Sequence, residues 1–567
     1  KRQLLVAMDG RIYNHDELGV PDHDPTALAM LVRRHGPAEA MRRLNGDLAA
    51  AVYEPGTRTL WLLRDRFGLR PLYWRRGADG VAFASRPRAL FPAGGPTPDP
   101  RYVARVAGSH YRTFDNDPFR SPYLGIDQVP AAHVVTVSGD AADVAAYWTP
   151  ESFPDPPSRD PGELARIYRE LLDDAVERRR AATGRPAFTL SGGMDSSSVL
   201  ASAARRHGPQ TAYSTVYADP TFDERHDISP MLVERADPWS PVLIDDPDVF
   251  GTVARMVDEQ DEPIATATWL SHRVLAGVAA ADGVTALLGG LGGDELNAGE
   301  YEYFPFHFAD LRRAGELDAL DHEIARWADH HDHPVFRKNP DVAVGLMDRL
   351  TDGRGGCRPD LRRLARYSDA LTPDLARLAR GEPVMEHPFE NHLANRCWQD
   401  LTRETLPCCL RAEDRTMAAV GMERMHPFLD HRLVELMFRL PGDLKIREGV
   451  TKRLLREAMR GVLPEETRTR VAKTGWNAPA HRWFAGDALD DLRDLVASRS
   501  FRERGLYRPD VVERLIDEHE AIVDSGAAAE NHMMFLWQLV NVELWLRGLE
   551  AGPAEPATTT RAPAVSS

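Results

Sequence analysis

An apolar run that ends in glycines and an aspartate occurs twice in this chain, and the repetition limits the fold more than any other feature. FTLSGGMDSSSVLA, residues 188–201, and VTALLGGLGGDELNAG, residues 284–299, each read as a short strand, a glycine-rich turn and the start of a helix. TAYSTVYA at 211–218 is a further strand, followed by a region helical by period. Before them Leu164, Ile167, Leu171, Leu172 and Ala175 recur on one face of a helix. Strands alternating with helices predict an α/β fold with a mostly parallel sheet covered on both faces. In such a sheet ligands sit beyond the C-terminal ends of the strands, where helix N-termini expose unpaired N–H groups.

The first turn has the composition of a phosphate cradle. Ser191, Gly192 and Gly193 would let the backbone approach an anion closely, Ser196 and Ser197 would add hydroxyl donors, and the helix would contribute its positive end. An ordinary capped turn is the competing reading. Asp195 would repel a phosphate unless a divalent cation stood between them, and Mg2+, a cation with oxygen ligands, resolves the conflict. Asp294 follows its own strand in the same way, so Asp195 and Asp294 form a candidate pair around one metal. The plainer account of Asp294 and Glu295 is that they favour the helix dipole.

At 567 residues the chain exceeds the size of a single growing core, which predicts at least two domains. Residues 1–148 are sheet-rich: DLAAAVYE, LWLLRD and LYWRRGADGVAFAS are separated by turns, with a hairpin expected at Gly77 and Asp79-Gly80, and AHVVTVSGD adds a strand at 132–140. TPESFPDPPSRDP, residues 149–161, holds five prolines and no hydrophobic period, as a linker would. Residues 162–550 form the second domain, mainly helical after 300, and 551–567 read as a disordered tail. The chain begins at Lys1 without a methionine, so the true N-terminus is expected upstream.

A formal charge of -16 opposes a general affinity for nucleic acid or anionic membranes. MMFLWQLVNVELWL, 533–546, is too short and too polar at Gln538, Asn541 and Glu543 to span a bilayer, and reads as a buried helix. Cys357, Cys397, Cys408 and Cys409 have neither zinc-like spacing nor disulfide density, consistent with a reducing cytoplasm. His322, His330, His331 and His333 crowd a helix end in a run that converges poorly on a metal.

SGGMDSS is similar to the pyrophosphatase loop of ATP enzymes that release pyrophosphate. Together with DEPIA at 261–265, GLGGDE at 290–295, EDRTMAAVGMERMHPFLDHRLVE at 413–435 and TKRLLREAM at 451–459, it resembles the synthetase half of glutamine-dependent asparagine synthetases. Relatives of that family include beta-lactam synthetases and the isopeptide cyclases of lasso-peptide pathways. The resemblance implies an N-terminal Ntn-type sandwich of antiparallel sheets, partial in this chain, and a C-terminal parallel-sheet synthetase domain of the adenine nucleotide alpha hydrolase type. It implies ATP and Mg2+, a small-molecule or peptide carboxylate activated as an acyl-adenylate, and ammonia, glutamine or an amine as nitrogen donor. A homodimer is compatible with it. By the same resemblance Asp195 and Asp294 would hold the metal, Lys452 would stand near the acyl-adenylate, Gly292 would belong to the second nucleotide loop, and Lys473 with Gly475 would lie near pyrophosphate. Glu423 and Arg424 would form part of the carboxylate wall.

The chain also departs from that pattern. MDGRIYNHDEL, 8–18, is similar to the family's Asn-Gly-Glu loop but carries Asp9 and Arg11, and a cation at Arg11 would repel the α-amine of glutamine. Asp24 matches the family's other amine-binding acid. RDRFGLRPLYW, 64–74, and FASRPRALF, 83–91, match later strands. The family's nucleophile is an N-terminal cysteine, and no cysteine precedes Cys357. Either a leading segment lies outside this sequence, or the domain is retained as a packing partner of a cyclase that uses an amine directly. Leu291 stands where asparagine synthetases carry a glutamate. Leucine neither accepts a proton nor binds an ammonium group, so the expected substrate is larger or less charged than aspartate.

Overall fold

The computed structural model describes residues 3–551 apart from positions 79, 332, 334, 473–477 and 527–528. In the first half the strands are β1 (Leu5–Ile12), β2 (Gly46–Glu54), β3 (Thr59–Arg64), β4 (Tyr73–Gly77), β5 (Gly80–Ala84), β6 (Asp127–Gln128), β7 (His133–Ser138) and β8 (Ala141–Ala146). They form two antiparallel sheets, ordered β1-β2-β3-β7-β8 and β5-β4-β6. The expected hairpin joins β4 to β5 across the Gly77–Gly80 pair, while Asp79 lies outside the described residues.

The small residues of β2 explain how two layers fit around one strand. Successive side chains point to opposite faces. Ala49 and Ala51 join Leu62, Val135 and Val137 against Leu72, Trp74, Val81 and Val129, in and beside the smaller sheet. Leu48, Ala50 and Val52 look the other way, into a cluster that includes Ala27, Leu28 and Leu31 of the helix Asp24–His35.

The second half is built on five parallel strands, β9 (Pro186–Thr189), β10 (Gln210–Val216), β11 (Ala236–Leu243), β12 (Ala286–Leu288) and β13 (Glu423–Met425), in the order β11-β10-β9-β12-β13. β9 is central: the chain first adds strands on one side of it and then returns to add β12 and β13 on the other. The order therefore reverses between β9 and β12, and the crevice outside their C-terminal ends is where this sheet type places a ligand. Two strands differ from expectation. β11 contains Pro238 and Pro241, residues that an edge strand tolerates, and reads by composition as part of a helical region. β13 is three residues long and lies inside a stretch read as helical, formed because it pairs with β12 in register, Ala286 opposite Glu423.

The halves share a core. The stretch 149–161 begins with a short turn of 3-10 helix, Pro150–Ser152, and buries Phe153 between Trp148 and Trp398, ring centroids 4.9 and 5.9 Å away. Burying such a ring stabilises by about 1.5–3 kcal/mol. The helix Pro161–Ala181 then turns Leu164, Tyr168, Leu172 and Val176 inward, and its buried Arg179 reaches Asp47 of β2 at 3.5 Å and Asp430 at 3.3 Å. The C-terminal helix Met533–Ala551 is buried through Phe535, Leu536, Trp537, Leu539 and Val540. Among the described residues no helix is long and apolar enough to cross a membrane.

Candidate active site

A cavity of about 470 Å³ opens at the strand-order reversal. Ser191, Gly193, Asp195, Ser196, Gly292, Asp294, Arg424 and Lys452 all line it, so residues far apart in sequence meet at one place. The two glycine turns touch backbone to backbone: a Cβ added at Gly290 would lie 2.6 Å from the Ser196 nitrogen, and one at Gly293 would lie 2.5 Å from Asp195 Cγ. Gly292 has φ +88°, and a side chain there would strike Leu429 at 2.5 Å. Only glycine allows this approach.

The Lys452 ammonium lies 2.5 Å from Asp195 Oδ2 and 2.8 Å from Asp294 Oδ1, joining the helix start after β9 to the helix start after β12. Its backbone is left-handed, φ 59° and ψ 33°, a conformation that costs a non-glycine residue about 1–2 kcal/mol and that clusters at functional sites. Gly299 makes room for it, since a Cβ there would lie 2.2 Å from Lys452 Cε. Sequence reasoning did not single out Gly299, although a glycine after GGDELNA was visible.

Around the first turn the seryl hydroxyls bond one another, Ser191 Oγ to Ser196 Oγ at 2.9 Å, and the Gly193 N–H donates to Ser191 Oγ at 3.2 Å. Three expected site residues are placed elsewhere. The Gly192 N–H donates to Glu224 Oε2 at 3.1 Å, so a carboxylate from a distant loop takes the position assigned to a phosphate; burial raises this glutamate to about 6. Ser197 is fully buried, because one helical step past Ser196 turns the side chain about 100° away from the cavity and into the core. Glu423 lies outside the cavity. It neighbours Arg424 on β13, and strand alternation sends the two to opposite faces: Glu423 accepts from Arg11 at 2.6 Å and from Arg70 at 3.0 Å. Arg11 is thus directed toward the synthetase half, and its hydrogen bond to Glu423 raises its pKa. Asp24 lies 2.9 Å from His15 and accepts from the Ile12 N–H. Lys473 and Gly475 lie outside the described residues.

Arg424 is buried on the β13 side of the cavity. Its Nε lies 2.7 Å from Glu413, and its Nη2 donates to Thr189 at the end of β9 at 3.0 Å. Burial raises Glu413 to about 7 and lowers Arg424, with each partner opposing the shift. Arg456 and Arg470 stand near the first turn, the former donating to the Thr451 and Arg468 carbonyls, the latter paired with Asp227 at 2.9 Å. None of these partnerships has a signature in local spacing.

The donor set suits Mg2+. Two carboxylates from separate strand ends, Asp195 and Asp294, could hold this ion, which takes oxygen ligands, and in this structure the Lys452 ammonium lies against both. Among the described residues no group of three or more His, Cys, Asp or Glu side chains converges as an all-protein metal site. The crowded histidines bond to protein instead: His322 to Glu448 at 2.6 Å, His330 to Arg326 at 2.7 Å, and His331 to the Gly449 carbonyl at 2.8 Å.

Glu295 carries the clearest pH signal. Burial, with the charge of Asp294 beside it, raises it to about 8, whereas in the unfolded chain it ionises near 4.5. Between those values the folded protein holds one proton more than the unfolded, so this group makes stability fall as pH rises from about 4.5 to about 8. Glu295→Gln is expected to remove that contribution. The gap in urea midpoint between variant and wild type should widen in the variant's favour from about pH 5 to about pH 8. A gap independent of pH would show that Glu295 titrates normally.

Comparison with known proteins matches residues 168–547 to a family model described as asparagine synthase and residues 1–148 to one described as a glutamine amidotransferase domain. A Mycobacterium bovis protein provisionally named a glutamine-hydrolysing asparagine synthetase is 26% identical over 577 residues, covering 96% of this chain and 84% of its own length. Asparagine synthetase [glutamine-hydrolyzing] 1 of Bacillus subtilis is 23% identical over 583 residues, 95% of this chain and 86% of that protein. Amidase chyE of Penicillium rubens is 22% identical over 560 residues, 88% and 81% respectively.

Proposed function

The chain belongs to the asparagine synthase family, and on that premise we propose that it activates a carboxylate with ATP as an acyl-adenylate and transfers the acyl group to ammonia or an amine. The observation that carries the proposal is the meeting of Asp195, Lys452 and Asp294 at the point where the strand order reverses. The flank of the cavity on the β10 side, with Tyr213, Ser214, Thr215 and Phe222, suits the nucleoside, and the β13 side, with Arg424, suits the carboxylate.

In this account Ser191, Gly193, Ser196 and the start of the following helix hold the phosphates. Asp195 and Asp294 would hold Mg2+, which when bound neutralises charge on the triphosphate. Arg424 orients the substrate so that a carboxylate oxygen attacks the α-phosphorus; the bond to the β-phosphate oxygen breaks and pyrophosphate leaves. The nitrogen nucleophile then adds to the acyl carbon, Lys452 stabilises the developing oxyanion, and AMP departs with the oxygen that came from the carboxylate while the nitrogen loses a proton. The balance is carboxylate, ATP and amine to amide, AMP, pyrophosphate and a proton.

Incubation with ATP, Mg2+ and a carboxylate panel tests the proposal. Pyrophosphate and AMP are expected in equal amounts and only when a suitable carboxylate is present. ADP and phosphate as the products would refute it.

A further inference from the structure

Part of the cavity lining bears on the choice of carboxylate if the chain is an adenylating ligase as proposed. Tyr111 and Arg112 enter it from the N-terminal half, on a single turn of 3-10 helix, Tyr111–Thr113, that comes after the helix Pro100–Gly108. Leu291, Tyr301 and Cys409 join them from the synthetase half.

The arginines described on the cavity wall are engaged by the protein itself. Arg112 lies 2.5 Å from Glu302 and 3.8 Å from Asp400. Glu302 is in turn bound by Arg363 and Asp400 by Arg396, so the charge of Arg112 is balanced within the wall. Arg424 is held by Glu413 and Thr189, Arg470 by Asp227, and Arg456 by backbone carbonyls, while Glu300 adds acid rather than base to the lining. Arg424 Nη1 is buried and makes no hydrogen bond to the described residues, so this cation can donate to one carboxylate.

A second carboxylate on the substrate would lose its hydration here and meet Glu300, an unfavourable exchange. A ring or alkyl chain would instead cover Leu291, the two tyrosines and Cys409, and apolar burial favours that.

We propose that the substrate is a monocarboxylate with an aromatic or aliphatic body, and that Tyr111, supplied by the N-terminal half, selects it; the inference rests on the adenylation reading. The side chain lines the cavity together with Leu291, and the ion pairs of Arg112 fix the turn that carries it. Selection is then split between the two halves of the chain.

The test measures pyrophosphate release by the full chain with ATP and Mg2+ on phenylacetate, hexanoate, aspartate and glutamate. The two monocarboxylates are expected to exceed the two amino acids in kcat/KM by at least about tenfold. Tyr111→Ala is expected to lower kcat/KM for phenylacetate by about 10- to 100-fold while equilibrium binding of ATP is kept, and Leu291→Ala to lower it for hexanoate, which preserves the test should Tyr111→Ala not fold. Aspartate or glutamate as the best substrate, or both variants matching wild type, overturns this inference alone. Release with none of the four, when another amino acid or no carboxylate at all supports turnover, overturns it as well, and the second of those results also removes the adenylation reading.

Discussion

Replacing Asp195 or Asp294 with asparagine is expected to cut carboxylate-dependent pyrophosphate release by roughly a hundredfold or more, the size of loss that follows removal of a preorganised electrostatic partner. Each substitution keeps the volume and one oxygen but removes the charge that suits the side chain to a divalent cation. The two aspartates start different helices after different strands, yet both face one ammonium. Equal severity is therefore expected, with near-ultraviolet circular dichroism unchanged. Turnover close to wild type in both variants would remove the metal assignment.

The second large effect is expected at Lys452. Lys452→Met keeps much of the aliphatic stem in the space opened by Gly299 and deletes the charge. Amide formation should fall by about 2.7–4 kcal/mol of transition-state stabilisation, or roughly a hundred- to a thousandfold. Carboxylate-dependent exchange of pyrophosphate into ATP should fall less, because the oxyanion develops when nitrogen adds. Normal amide formation would reduce the lysine to a structural bridge between two aspartates.

What the sequence reveals about this site depends on how local each signal is. The turns after β9 and β12 are legible because strand, glycines and aspartate are contiguous, and the fold then brings them together. β11 is hidden by Pro238 and Pro241, and β13 by its length, since three residues become a strand only through the register with β12. Missing β13 has a direct cost: had Glu423–Met425 been read as a strand, period two would have separated Glu423 from Arg424 and sent only one of them to the cavity. Ser197 is the helical version of the same lesson, adjacent to Ser196 in sequence and turned from it in space. Glu224, Tyr111 and Arg112 reach the cavity from distant loops, and no spacing rule links them to it. The apolar period of the helix Pro161–Ala181 shows in sequence as Leu164, Leu172 and Ala175, whereas its buried Arg179 becomes intelligible only with Asp47 and Asp430 in view.

The ion pairs between the halves alter one inference from composition. Arg11 appears in sequence as a cation misplaced in a glutamine pocket. With Arg70 it binds Glu423, and Arg70 also binds Asp414 at 3.1 Å. Asp414 comes directly after Glu413, and Glu423 precedes Arg424, so each of two adjacent pairs presents one residue to the N-terminal half, while the other two, Glu413 and the cavity-lining Arg424, pair with each other. The two halves are therefore braced at the same elements that position Arg424.

The most direct test of the central claim traces the oxygen atoms. A carboxylate substrate labelled with 18O in both oxygens is turned over with ATP, Mg2+ and an amine, and the phosphorus-containing products are analysed by mass spectrometry. Activation as an acyl-adenylate predicts one labelled oxygen in AMP and none in pyrophosphate. Label in inorganic phosphate, with ADP as the nucleotide product, would mean activation as an acyl phosphate and would contradict the account.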